Sequence, residues 1–369
     1  MPHIMKVEDL RVWFPVRKGI IDSLLGRMDY VRAVDGISFD VEKGETFCLV
    51  GESGCGKTTT ARAIMILVDR SDVKSGRILF RPHEEVLEEI SRVQPNVVVD
   101  GEYVDVYKTR GRAEKLVRRE VQIIFQDPFG SINPRMKIYD VVEEPLVVHG
   151  IGTREERVEA VARALEAVKL TPPEDFMARY PHQLSGGQRQ RVAIARALVL
   201  NPSMLLADEP VSMLDVSIRA EVLEVFNELK AKRGLSLIFI THDIALARYI
   251  CDRIAVMYLG KIVEVARADE IVEKPLHPYT RALISAVPDV VPENRLKLRH
   301  VPIKGEVPSA IRIPAGCRFR PRCVAYDENE WVRGFCEREE PGLVEVEREH
   351  YAACWIPIKR RFEGGSSIG

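Results

Sequence analysis

The sequence predicts an α/β fold, and three observations carry that expectation. Short apolar runs of strand length, Thr46–Val50, 204–207 and Ser236–Thr241, alternate with segments whose apolar residues recur at helical intervals, 58–68, 185–200 and 216–232. A glycine-rich loop, Gly51-Glu52-Ser53-Gly54-Cys55-Gly56-Lys57-Thr58, joins the first of these strands to the first helix. The strand at 204–207 runs directly into two adjacent carboxylates, Asp208 and Glu209.

The elements follow in order. Residues 7–14 alternate like a strand and 33–41 read as a second, with a polar insert, 15–30, between them. Residues 75–80 are strand-like again. Residues 81–118, rich in Glu, Val and Arg, read as an elaborated loop or extra hairpin and suggest no function. Helical spacing returns at 153–169, and a strand pair, Arg253–Tyr258 and 261–266, is joined at Gly260. After about Pro275 the composition turns Pro-rich and irregular, which places a boundary near Pro288: a nucleotide-binding domain over 1–288, its helical part about 127–200, and an extension over 289–369. At 369 residues the chain suits one such domain and a smaller appendage. No internal repeat is visible.

Composition excludes several classes. The 54 basic and 55 acidic residues nearly cancel, so overall charge names neither nucleic acid nor an anionic membrane as the main partner. No apolar run is long enough to span a bilayer, and Met1-Pro2-His3-Ile4 lacks the features of a signal peptide, so a cytosolic chain is expected.

The chemistry lies in the loop and the strand end. A glycine loop that opens a helix presents backbone N–H groups and a positive helix end to phosphate, with Gly51, Gly54 and Gly56 permitting close approach and Ser53, Cys55 and Thr59 completing the cradle. Lys57 is expected to reach the β/γ-phosphates and Thr58 to hold Mg²⁺. Asp208 can reach the metal through its water shell, and Glu209 is the expected general base. Cys55, at a helix N-terminus, is a candidate for a stabilised, oxidisable thiolate, although most such cysteines are inert spacers.

Leu184-Ser185-Gly186-Gly187-Gln188 offers a second phosphate-binding helix start that an ordinary phosphate-loop enzyme does not need. With its continuation Arg191-Val192-Ala193-Ile194-Ala195-Arg196-Ala197, it resembles the signature of the ATP-binding cassette (ABC) superfamily. The resemblance implies a P-loop NTPase fold with a RecA-like core, an antiparallel β subdomain and a helical subdomain. It also implies a pair of such domains with two ATPs between them, each signature closing on the partner's phosphate loop. Gln126 in Ile124-Phe125-Gln126-Asp127-Pro128 resembles the Q-loop glutamine, which contacts metal and attacking water. His242 resembles the switch histidine that orients the catalytic glutamate. Asp215 closes a stretch like the D-loop, with Met213 where alanine is more usual. Tyr30, Phe14 and Trp13 compete to stack on adenine, and Tyr30 is chosen because it directly precedes the strand over 33–41.

Nearly the whole chain resembles one branch, the ATPase subunits of oligopeptide/dipeptide and nickel importers. Ser131-Ile132-Asn133-Pro134-Arg135, His277-Pro278-Tyr279-Thr280-Arg281-Ala282-Leu283 and Gly316-Cys317-Arg318-Phe319-Arg320-Pro321-Arg322-Cys323 carry it. The branch implies a second ATPase subunit in a heterodimer, two transmembrane permease subunits, an extracytoplasmic solute-binding protein, and a peripheral position on the cytoplasmic face of the membrane. Peptides, nickel or oligosaccharides are the solutes it allows. DNA-maintenance ATPases of the superfamily carry a long coiled coil between phosphate loop and signature, and translation factors carry two cassettes; neither is present here. A regulatory module is the remaining rival.

The extension holds Cys317, Cys323, Cys336 and Cys354, spaced C-x5-C-x12-C-x17-C, which can converge on one metal centre. The family resemblance implies a four-iron four-sulfur (4Fe-4S) cluster there. Zinc more often uses C-x2-C pairs, and disulfides are disfavoured in a reducing cytosol.

Overall fold

A computed structural model describes residues 2–16, 28–286 and 302–364. The boundary expected near Pro288 and most of the polar insert after Pro15 lie outside the described residues.

The strands are β1 (His3–Pro15), β2 (Tyr30–Glu42), β3 (Thr46–Val50), β4 (Val73–Phe80), β5 (Val98–Val99), β6 (Tyr103–Asp105), β7 (Val121–Ile124), β8 (Met204–Asp208), β9 (Ser236–Thr241), β10 (Arg253–Tyr258), β11 (Lys261–Arg267), β12 (Val344–Glu347) and β13 (His350–Ala352). They form two sheets, a five-stranded antiparallel one in the order β2-β1-β4-β6-β5 and an eight-stranded one in the order β12-β13-β11-β10-β3-β9-β8-β7. In the larger sheet β7, β8, β9, β3 and β10 run parallel. β11, β13 and β12 extend its edge antiparallel.

The parallel strands are mostly apolar because both faces of the sheet they form are covered. Successive side chains point to opposite sides, so Phe47 and Leu49 join one core with β1, β2 and β4, while Cys48 and Val50 join another under the helices. β3 and β9, buried at every position, therefore carry both cores.

The principal helices are α1 (Lys57–Ile64), α2 (Ile138–His149), α3 (Arg154–Ala167), α4 (Gly186–Leu198), α5 (Val216–Arg233) and α6 (Pro278–Ala286). Local chemistry sets their starts. Thr153 opens α3 with a capping box, its hydroxyl accepting from Glu156 N–H while Glu156 accepts from Thr153 N–H. Ser185 and Gln188 repeat that exchange at α4. The segment 81–118, read as an elaborated loop or an extra hairpin, holds the hairpin β5–β6, flanked by helices Glu84–Val93 and Gly111–Glu120.

The C-terminal strands are part of the main sheet, because β13 pairs with β11 at Glu264↔Ala352 and Val265↔Tyr351. Glu264, fully buried, accepts from the N–H groups of Leu276 and His277 and pairs with His350 Nε2 at 2.7 Å, so one carboxylate ties three segments together.

The metal-centre expectation for the extension is corrected. Among the described residues, no group of three or more His, Cys, Asp or Glu side chains is placed to hold a metal ion. Cys317, Cys323, Cys336 and Cys354 are free thiols, so disulfides do not join them either. They line one cavity of about 20 Å³ with Phe319, Val332 and Ile356. Burial pushes the Cys323 thiol up to about 11 and raises that of Cys354, whereas the hydrogen bond between Cys317 and Cys336 lowers the Cys317 thiol and raises the Cys336 one. The disulfide of the chain is elsewhere, between Cys48 of β3 and Cys251.

Candidate active site

The glycine loop leaves β3 and enters α1 as the sequence predicts. Gly56 has φ +114°, and a Cβ there would lie 2.3 Å from the Ala33 carbonyl oxygen, so no other residue fits this step of the loop. Lys57 is buried and folds back, its Nζ donating to the carbonyls of Gly51 at 2.6 Å and Glu52 at 3.0 Å. The Thr58 hydroxyl donates to Asp208 Oδ1 at 3.0 Å, joining α1 to the end of β8. Ser53 and Gly54 are exposed at the loop tip, and Thr59 follows on α1. The Cys55 thiol is shifted up by burial, against the pull of Lys57, which favours an inert spacer over a stabilised thiolate at this helix start.

A second cluster assembles beside the first. Glu209 Oε2 accepts from Gln126 Nε2 at 3.2 Å and lies 3.2 Å from His242 Nδ1. Three strand ends, those of β7, β8 and β9, thus deliver three residues far apart in sequence to one carboxylate. Glu209 adopts φ +48°, an uncommon left-handed conformation for a side-chain-bearing residue. Its N–H donates to Ile240 O at 3.0 Å and its carbonyl accepts from Ser212 Oγ at 3.0 Å, which fixes that conformation from both sides. Because residues 208 and 209 are adjacent, the phosphate loop and this triad form one site.

Asp208 has its pKa raised, chiefly by burial and further by neighbouring Glu209, with the Thr58 hydrogen bond opposing. A buried carboxylate beside a hydroxyl is a hard-oxygen pair suited to Mg²⁺, which takes one or two carboxylates and leaves other positions to phosphate and water. The residues present fit that ion.

Ser185, Gly186, Gly187 and Gln188 lie at the start of α4, with Ser185 exposed. A Cβ on Gly187 would come 2.3 Å from Ile218 Cγ2, so α4 packs tightly on α5. Asp215, exposed, is the residue before α5, and a Cβ on neighbouring Gly186 would touch Leu214 at 3.5 Å. The signature and the Asp215 segment therefore share one surface. The Ser185 hydroxyl accepts from Gln188 N–H and the Gln188 side-chain oxygen from Ser185 N–H, while the Ser185 carbonyl accepts from Arg189 N–H at 3.0 Å.

Of the three aromatic candidates, Trp13 is engaged by Asp35 through its Nε1–H at 3.0 Å and by Arg32 over its ring. Tyr30 begins β2, half-buried, with Lys74 Nζ 5.1 Å from its ring centre.

Sequence reasoning did not assign the residues that brace the loop from the C-terminal side. Tyr279 of α6 accepts a hydrogen bond from Glu52 N–H at 2.9 Å, and Arg322 grips the Glu52 carboxylate with two bonds of 2.7 and 3.2 Å. The signal available was Arg318-Phe319-Arg320-Pro321-Arg322, a basic run too dense for a surface turn, but its target 270 positions away was not legible.

A phosphate loop, a strand-end carboxylate pair and a glycine-flanked serine on one α/β core define a nucleotide-hydrolysing cassette. Residues 34–212 match the ABC transporter family, and residues 263–328 match the C-terminal region of oligopeptide/dipeptide transporters. The chain is 40% identical to the oligopeptide transport ATP-binding protein AppF of Bacillus subtilis, over 96% of this chain and 97% of that one. It is 42% identical to a putative peptide import ATP-binding protein of Brucella ovis, over 91% of this chain and 96% of the relative. Among solved structures it resembles cbiO1 of Clostridium perfringens, part of the transporter complex cbiONQ, at 27% identity and TM-score 0.57 over 74% of this chain and 93% of that one. A dimeric ATP-binding cassette in a post-hydrolysis state with ADP and phosphate matches at 25% identity and TM-score 0.54, over 72% of this chain and 98% of that one. The chain belongs to the ATP-binding subunits of the oligopeptide/dipeptide ABC transporter family.

Proposed function

We propose that the chain is the ATP-hydrolysing subunit of an ABC importer for di- or oligopeptides. The convergence of Gln126 and His242 on Glu209, next to the Thr58–Asp208 pair, is the observation that carries the chemistry. The triphosphate lies along the loop N–H groups over Gly51 to Thr59, and Lys57 turns from its two carbonyls to the β/γ-phosphates. Thr58, Asp208 and Gln126 would hold Mg²⁺, which neutralises phosphate charge when bound. Glu209 takes the proton of a water in line with the γ-phosphate, while Gln126 and His242 hold the carboxylate in place. Tyr30 is the proposed adenine platform.

Ser185 to Gln188 and Asp215 complete the site of a facing subunit, a reading supported by their shared exposed surface and by the dimeric cassette that the chain resembles. The partner is a second ATPase subunit of the same family. Two permease subunits dock on the groove beside Gln126, lined by Phe125, Ile132, Pro145 and Val148 and about 310 Å³ in volume. Exposed Phe125, Val147 and Val148 supply apolar surface for them. Among the described residues no helix is long and apolar enough to cross a membrane, so the path for solute belongs to other chains. An extracytoplasmic binding protein delivers the peptide, and this subunit sits on the cytoplasmic face.

Glu209→Gln tests the reading. The variant is expected to bind ATP, to hydrolyse it at least ~100-fold more slowly, and to accumulate as an ATP-bound dimer in size-exclusion chromatography. Unimpaired turnover would remove Glu209 from its role.

A further inference from the structure

The second residue of the phosphate loop is Glu52, a carboxylate beside the place where a polyanion must bind. Its charge is met from outside the nucleotide-binding core. The Arg322 guanidinium, 8% exposed, holds both Glu52 oxygens, and the geometry is the planar two-bond fork that arginine makes with carboxylates. The Glu52 N–H is committed to the hydroxyl of fully buried Tyr279.

The arginine is itself fixed. Phe319 packs among Tyr258, Tyr279 and His277 with ring centres 5.2 to 5.5 Å apart. Arg318, the residue before it, donates to Leu259 O at 2.7 Å and pairs with Asp35 at 2.5 Å. The neighbouring Gly260 N–H donates to the carbonyl of Cys55 at 2.9 Å. The segment 318–322 is therefore strapped to both flanks of the glycine loop.

We propose that Arg322 is a positioning residue for nucleotide binding: it neutralises Glu52 and holds that carboxylate aside, so that the loop meets the triphosphate without an opposing charge. The proposal rests on the nucleotide site assigned above. It gives the C-terminal region a task in ATP binding by this same subunit. In Arg322→Met the Glu52 charge stands unpaired beside the phosphates and repels them. Removing the same charge in Glu52→Gln should cancel the defect, which a merely structural strap would not do.

Equilibrium titration of the full chain with a fluorescent ATP analogue and Mg²⁺ distinguishes these cases. Arg322→Met is expected to weaken binding roughly tenfold at low salt, with the deficit shrinking as ionic strength rises from ~0.05 to ~0.5 M. Glu52→Gln/Arg322→Met is expected to return to about twofold of wild type. Glu52→Gln alone should bind at least as tightly as wild type, and it carries the test if Arg322→Met does not fold by circular dichroism. Arg322→Met binding like wild type, a double variant as weak as Arg322→Met, or a weakened Glu52→Gln would each overturn the proposal. Failure of the wild type to bind nucleotide would instead overturn the site itself.

Discussion

Asp208 shows how a single residue trades stability for chemistry. Its folded pKa is raised by burial, so its neutral form is the one the fold favours. The stability it contributes is present below the pKa of the unfolded chain and is lost as pH rises through the folded value. Asp208→Asn keeps an oxygen for the Thr58 hydroxyl and removes the charge. Nucleotide-free Asp208→Asn is expected to melt about 2 °C above wild type at neutral pH, with the gap closing toward pH ~4. The same variant should lose Mg²⁺-dependent hydrolysis. Melting curves across pH check the first statement, and a gap that widens toward acid would refute it. Glu209 is the complementary case: its left-handed backbone is uncommon, but bonds to Ile240 and Ser212 hold it where Gln126 and His242 can reach.

At the scale of elements, α4 and α5 are packed through glycine. The missing side chain of Gly187 is what lets Ile218 approach, and the serine-capped start of α4 is presented beside Asp215 as a result. Gly187→Ala is expected to cost about 1–3 kcal/mol in urea unfolding, because the new methyl overlaps Ile218 in a closely packed contact. Ile218→Ala in the same chain should restore part of that loss. Independent, additive costs would place the strain elsewhere. Helical spacing marked α3 in the sequence and the glycine-flanked serine marked α4; the reciprocal caps Thr153/Glu156 and Ser185/Gln188 are what fix their first turns in the structure. The helices on either side of β5 and β6 were less legible, being short, amphipathic and separated by small turns.

The whole molecule is a sheet with a core on each side and a C-terminal segment that returns to it. Cys48 and Cys251 close a span of 203 residues. By loop entropy such a link stabilises a chain by about 5 kcal/mol, so reductant should lower the melting temperature of wild type and leave Cys251→Ser unchanged. Equal melting of wild type with and without reductant would contradict this. The return of β12 and β13 to β11 makes the extension continuous with the nucleotide-binding sheet, and Glu264, Tyr279, Arg318 and Arg322 are the polar ties of that junction.

Local chemistry determined much of this protein in sequence alone. A glycine loop between strand and helix, carboxylates at a strand end and a serine-capped glycine pair each have a meaning set by backbone geometry within a few residues, so they were readable without a fold. Long-range placement was decided only in three dimensions. Four cysteines with plausible ligand spacing are free thiols that, among the described residues, form no metal-holding group, because spacing along the chain does not fix how the sulfurs are placed relative to one another. The pairing of Glu52 with Arg322 was equally hidden, since an ion pair across 270 residues exists only after the chain has brought its last sheet strands back to its first loop.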